Sequence, residues 1–108
     1  MKRHMTLTQL ERNDWGSPPH DSFLVTECHR LRHVPLRDLT VENLRILIGQ
    51  HISLEYTVPL ALEHLARDPM VSGDMYPGDL LKAVQGIEDD FWAQHPSLKT
   101  VWQKISTE

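Results

Sequence analysis

Residues 39–50 read "LTVENLRILIGQ", and this stretch decides the fold class. Val41, Leu44 and Ile48 recur at spacings of three and four, which places them on one face of a helix, with Leu47 alongside. Thr40 stands where an N-cap hydroxyl would accept a bond from an early backbone N–H. Glu42 falls in the first turn, where a carboxylate suits the positive end of the helix dipole. Gly49 is a candidate C-cap. A half-buried strand would need apolar residues at every second position, and no alternation of any length occurs here or elsewhere in the chain.

Toward the C-terminus the same period returns. Val58, Leu62 and Leu65 share a face with Ala61, and Pro69 closes the segment. Pro59 lacks an N–H and its ring would clash with the preceding turn, so this helix is predicted to start near Thr57, with residues 51–56 as a turn or short helical piece. The stretch "GDMYPGDLL" at 73–81 reads mostly as helix-start chemistry. Pro77 suits the first helical position and Asp79 the first turn, while Leu80, Leu81 and Val84 give the apolar face and Gly86 the end. Asp74, Met75 and Tyr76 are left on a turn with no structural duty. Ser97 is expected to cap a last helix that carries Leu98, Val101, Trp102 and Ile105.

Toward the N-terminus, Asp21 or Ser22 caps a helix with Leu24, Cys28 and Leu31 on one stripe and Phe23 beside it, and Pro35 ends it. Gly16, Pro18 and Pro19 make residues 13–21 a turn-rich linker, with Trp15 packing down as an anchor. Leu7 and Leu10 behind Thr6 suggest a short helix, and residues 1–6 are expected to be disordered or extended. The sum is an all-α fold: one compact domain over residues 1–108, with about five short helices and short loops.

Composition narrows the function classes. The chain has a single cysteine, Cys28, so neither an intrachain disulfide nor a cysteine metal framework is possible. No stretch approaches the roughly 18 apolar residues of a membrane span. The basic N-terminus is not followed by an apolar segment of signal-peptide type, so a cytoplasmic location is expected. The net charge of −4 is unevenly placed. Residues 73–90 hold five acids against Lys82 alone, whereas residues 22–37 hold Arg30, Arg32 and Arg37 against Glu27. Such asymmetry speaks to partners.

Catalysis finds no support. Glu88, Asp89 and Asp90 are consecutive, so their side chains diverge, and there is no P-loop, dinucleotide fingerprint or serine elbow. Cys28, in its apolar stripe, reads as a small buried hydrophobe. His29 and His33 stand four apart and share a helix side, but no third ligand has suitable spacing, so no metal and no cofactor is assigned. Arg30, Arg32 and Arg37 could meet phosphates in a small helical nucleic-acid-binding regulator. Salt links to neighbouring acids are the ordinary alternative. The acidic segment differs in kind because its carboxylates are interleaved with Tyr76, Phe91 and Trp92. Aromatic anchors among steering charges suit a protein-binding surface.

"LRDLTVENLRILIGQ" (36–50), "LEYTVPLALEHL" (54–65) and "YPGDLLKAV" (76–84) followed by "FW" (91–92) resemble immunity proteins of bacterial contact-dependent growth inhibition systems. The resemblance runs from about Leu7 to Ile105. It implies a small cytoplasmic protein that binds the toxic C-terminal domain of a large delivered effector and neutralises it, one-to-one. Toxins of this kind are often nucleases with basic substrate grooves, which an acidic surface would suit. Nucleic acid, membrane and small-molecule ligands are not expected. The resemblance assigns no contact residues. The candidates for partner binding, chosen on charge and expected exposure, are Asp74, Tyr76, Asp79, Glu88, Asp89 and Asp90, with Trp92 added.

Overall fold

The computed structural model describes residues 2–19 and 22–107. Among these, the chain forms α1 (Leu7–Glu11), α2 (Phe23–Leu31), a 3-10 turn (Leu36–Asp38), α3 (Val41–Gly49), α4 (Leu54–Arg67), α5 (Asp79–Gln85), α6 (Asp89–Gln94) and α7 (Pro96–Ser106). β-pairing among the described residues is confined to two isolated bridges, Thr6 with Pro35 and Ser72 with Pro77. The all-helical reading holds, with seven α-helices among the described residues in place of about five. The difference lies at the ends. Residues 89–94 form a separate helix ahead of α7, and Leu7–Glu11 is a properly capped turn.

α3 lies at the centre, packed on α2, α4 and α5. Its start follows the expected chemistry. Thr40 Oγ1 accepts from the Asn43 N–H at 3.1 Å while Asn43 Oδ1 accepts from the Thr40 N–H at 3.0 Å, a reciprocal capping box. Thr6 and Gln9 repeat the device at α1. Leu44, Ile46, Leu47 and Ile48 are buried on α3 and join one core that runs from Leu7 in α1 to Ile105 in α7. Each fully buried leucine or isoleucine contributes about 1.5–3 kcal/mol relative to exposure.

Several boundaries differ from the sequence reading. α4 begins at Leu54, so Pro59 lies inside the helix. The ring leaves the Glu55 carbonyl without its helical donor, but Glu55 is exposed and water can serve it. Val58, Leu60, Ala61, Leu62 and Leu65 meanwhile commit the segment to the core. Pro77 precedes α5: the cap is Gly78, in the left-handed region at φ +87°, and Asp79 is the first helical residue. α7 starts at Pro96 behind His95, one residue before Ser97, because proline suits a first-turn position that needs no N–H. Gly49 is the last helical residue of α3, with Gln50 as the cap. Ser22 caps α2, accepting from the Val25 N–H, while Asp21 lies outside the described residues.

The N-terminal arm lies along the 3-10 turn, where the Leu36 and Arg37 N–H groups donate to the Met5 and Arg3 carbonyls at 3.0 Å. Behind it, Arg32 is 1% exposed. Its guanidinium pairs with Glu11, donates to the Asn13 carbonyl at 2.6 Å and to Ser53 Oγ at 3.1 Å, and lies 4.3 Å from the Trp15 ring centre. This knot ties α1, the linker and the start of α4 together. Trp15 is the anchor expected of it on one face only, since 40% of its surface stays exposed. No described helix is long and apolar enough to cross a membrane.

Candidate partner-binding site

The chain between α4 and α5 makes a closed loop with nearly all of its turns fixed by hydrogen bonds. Asp68 Oδ1 accepts from the Met70 N–H at 3.0 Å, and the Gly78 N–H returns to the Met70 carbonyl at 3.1 Å. The Asp79 side chain then fills the inside of the bend. Its Oδ1 accepts from the Gly73 N–H at 2.7 Å, and its Oδ2 from the Met75 and Tyr76 N–H groups at 3.1 and 3.4 Å. From α3, Glu42 Oε1 accepts from the Asp74 N–H at 3.0 Å. The same carboxylate takes both Nε and Nη2 of Arg45, one turn along α3, and Arg45 Nε approaches Asp79 Oδ2 at 3.8 Å. Two carboxylates, Glu42 and Asp79, therefore receive the backbone N–H groups of residues 73–76, and Arg45 donates to the first and lies near the second.

These contacts tune the acids. Burial by itself would raise the Asp79 carboxyl, but the backbone N–H groups of Gly73, Met75, Tyr76 and Leu80 together hold it below the ordinary aspartate value. The Arg45 fork chiefly holds Glu42 below its ordinary value, with burial opposing and the Asp74 N–H assisting. Both are ionised at neutral pH. Gly73 leaves room for this arrangement: a Cβ there would come within 2.6 Å of Glu42 Oε1, 3.1 Å of Asp79 Oδ2 and 3.2 Å of Glu42 Cα, so a larger residue would displace the Glu42 carboxylate or the loop.

What the loop shows to solvent is the opposite of what it buries. Met75 is 65% exposed, Met70 56% and Tyr76 50%, and Asp74 is exposed beside them. Met75 and Tyr76 border an open groove floored by Arg45, Gly49, Lys82 and Ala83. Exposed methionine and tyrosine beside a concavity are the material of a binding hot spot.

The sequence candidates thus divide. Asp74 and Tyr76 are exposed at the loop tip. Asp79 is 3% exposed, so its carboxylate serves the loop's own backbone and the expected exposure is not met. Glu88, Asp89 and Asp90 are exposed at the start of α6, where they also complement its dipole. They lie beyond the other end of α5 from the tip, a seven-residue helix about 10 Å long. Trp92 is buried, stacked on Trp102 with ring centres 5.9 Å apart, so it fastens α6 to α7. Sequence reasoning left Met75 on the turn without making it a candidate, took Glu42 only as a first-turn acid, and passed over Met70 and Arg45. The Glu42/Arg45 spacing was a visible signal of an ion pair, but nothing local tied that pair to residues 73–79.

Other candidate chemistry is absorbed by structure. No group of three histidine, cysteine or carboxylate side chains suited to a metal occurs among the described residues. His29 Nδ1 lies 3.2 Å from the Gly16 carbonyl and its ring meets Trp15 edge-on. Cys28 is buried, which pushes its thiol up, away from the reactive thiolate. Arg30 pairs with Glu27 and Arg32 is buried, so Arg30, Arg32 and Arg37 do not form one open basic face.

No curated protein and no solved structure matches the chain. The model of one protein family, described as CDI immunity proteins, matches residues 9–101, taking in every helix from the end of α1 to the middle of α7 and the whole 70–79 loop. With that span covered, the chain belongs to the immunity proteins of contact-dependent growth inhibition, whose function is to neutralise a toxin.

Proposed function

We propose that the protein neutralises the toxin domain of its cognate effector by stoichiometric, one-to-one binding in the cytoplasm, without catalysis or cofactor. The Met75–Tyr76 tip makes the central contact, with Met70 and Asp74 around it. Glu88, Asp89 and Asp90 lie at the rim and steer a basic toxin surface. Toxin activity is blocked at the active site or at an adjacent exosite.

The observation that carries this reading is the pairing of exposed apolar side chains with a backbone that is hydrogen-bonded almost throughout. A tip of this kind binds without first having to be ordered, so little affinity is lost on association. An interface of about 800 Å² per partner is wide enough to cover both the tip and the start of α6. The alternative of a nucleic-acid-binding regulator is not favoured by any observation, since Arg32 is buried and Arg30 is paired with Glu27, which among the described residues leaves Arg37 as the one exposed, unpaired member of its basic set.

The test is toxin binding by a Tyr76→Ala variant, measured by surface plasmon resonance against the cognate toxin domain. A central aromatic anchor should cost about 2 kcal/mol or more, roughly a thirtyfold loss of affinity. Wild-type affinity in a folded Tyr76→Ala protein would place the contact surface elsewhere.

A further inference from the structure

Three parts of the molecule stand outside the proposed contact yet lie within reach of it: Glu42 and Arg45 on α3, and Gly73 in the loop. Neither of the two α3 side chains needs to touch a partner. Glu42 is engaged by Arg45 and by the Asp74 N–H, and Arg45 directs its fork inward to Glu42 and toward Asp79. Asp79 is turned inward as well, onto three N–H groups that belong to the tip. Gly73 supplies the clearance that lets the loop backbone press against Glu42.

We propose that Glu42, Arg45 and Asp79 form a clamp of positioning residues that holds residues 73–76 in the toxin-binding conformation, with Gly73 as the position that admits it. This rests on the reading of the 70–79 loop as the toxin contact. Removing the Arg45 fork frees the Glu42 carboxylate to turn to solvent, which releases the Asp74 N–H. It also removes the cation nearest Asp79. The loop then samples other conformations while the apolar face of α3, made by Leu44, Leu47 and Ile48, stays packed. If the competent population falls to about a tenth, apparent affinity falls about tenfold.

The experiment uses the full chain with Arg45→Met, which keeps the side-chain volume, alone and combined with Tyr76→Ala. Amide hydrogen exchange of the free protein reads the clamp without any toxin. Exchange at residues 73–76 should quicken while that of α3 and α4 is unchanged. Against the toxin domain, the association rate should fall about tenfold with dissociation little changed. Once Tyr76→Ala has removed the anchor, adding Arg45→Met should cost less than it does alone, because the two act through one loop. Full additivity of the two changes would overturn the proposal, as would unaltered exchange at 73–76. A Tyr76→Ala variant that weakens binding while Arg45→Met does not would sink the clamp and leave the contact surface standing. If neither change alters binding, the contact reading itself fails and the clamp with it. Should Arg45→Met fail to fold, Asp79→Asn loosens the same loop at the neighbouring N–H groups of Gly73, Met75 and Tyr76, with an isosteric side chain.

Discussion

The Arg32 knot and the Arg45 clamp use the same components toward opposite ends. Each has an arginine engaged with a glutamate, and each gathers backbone from a loop. At Arg32, the collected groups surround the guanidinium, which is buried with the Trp15 ring over one face, and the product is a closed seam between α1, the linker and α4. At Arg45, the collected backbone turns its N–H groups inward and its side chains out, and the product is an exposed tip of Met75 and Tyr76. A buried ionic cluster can thus serve the fold in one place and the display of a surface in another. The difference is whether the side chains of the held segment face the arginine or the solvent.

The largest effect separating the two clusters is expected for Arg32→Ala. It leaves the Asn13 carbonyl without its partner and Glu11 with only the Ser53 hydroxyl, so urea unfolding should show a loss of about 3 kcal/mol, near the lower end for a buried pair because Glu11 keeps that bond and some contact with water. Toxin affinity per folded molecule should not change. A drop in affinity at full stability would mean that the seam, too, is part of the binding surface.

Asp79→Asn comes next, at about 1–2 kcal/mol, since an amide has one acceptor where the carboxylate offers two to its backbone donors. Here the pH dependence has a definite sign. The folded-state pKa of Asp79 is held below its unfolded value, near 3.9, so its contribution is fully present above that value and is lost as pH falls through the folded one. The stability gap between wild type and Asp79→Asn should therefore be widest at neutral pH and close in acid. A gap that does not change with pH would show that the carboxylate charge is not what the loop uses.

The smallest effect is expected at the rim. Asp89→Lys combined with Asp90→Lys should slow toxin association several-fold at low salt, with little change in unfolding free energy, because exposed charges act mainly on encounter. The effect should shrink as salt is raised. Wild-type association at low salt would remove the start of α6 from the surface.

The helices were legible because their signals are local. Thr6 and Thr40 cap where a side-chain oxygen can reach an N–H three residues on, and the apolar period named most of the buried core while missing Leu36, Leu39, Ile46, Leu60 and Ile87. Pro59 misled the α4 boundary because local geometry penalises it, whereas packing of Val58, Leu60 and Ala61 decides. The site was legible only in part. Tyr76 and Asp74 stood out by lacking a structural task, and both are exposed. Asp79 carried the same charge and yet is buried, because its donors lie three to six residues upstream in a turn whose shape no periodicity encodes. Glu42 reaches Asp74 across 32 residues of sequence, a contact that exists only once α3 and α5 are packed.

The bonds at the tip have a consequence for how such a protein can change over generations. Met75 and Tyr76 give the clamp only their main-chain N–H groups, which every amino acid except proline possesses. Their side chains are open to replacement with little effect on folding, while Gly73 and Asp79 are not. A lineage can therefore rewrite these two proposed contact residues by single substitutions, each folding as well as its parent, and proline is the one amino acid the backbone itself excludes there.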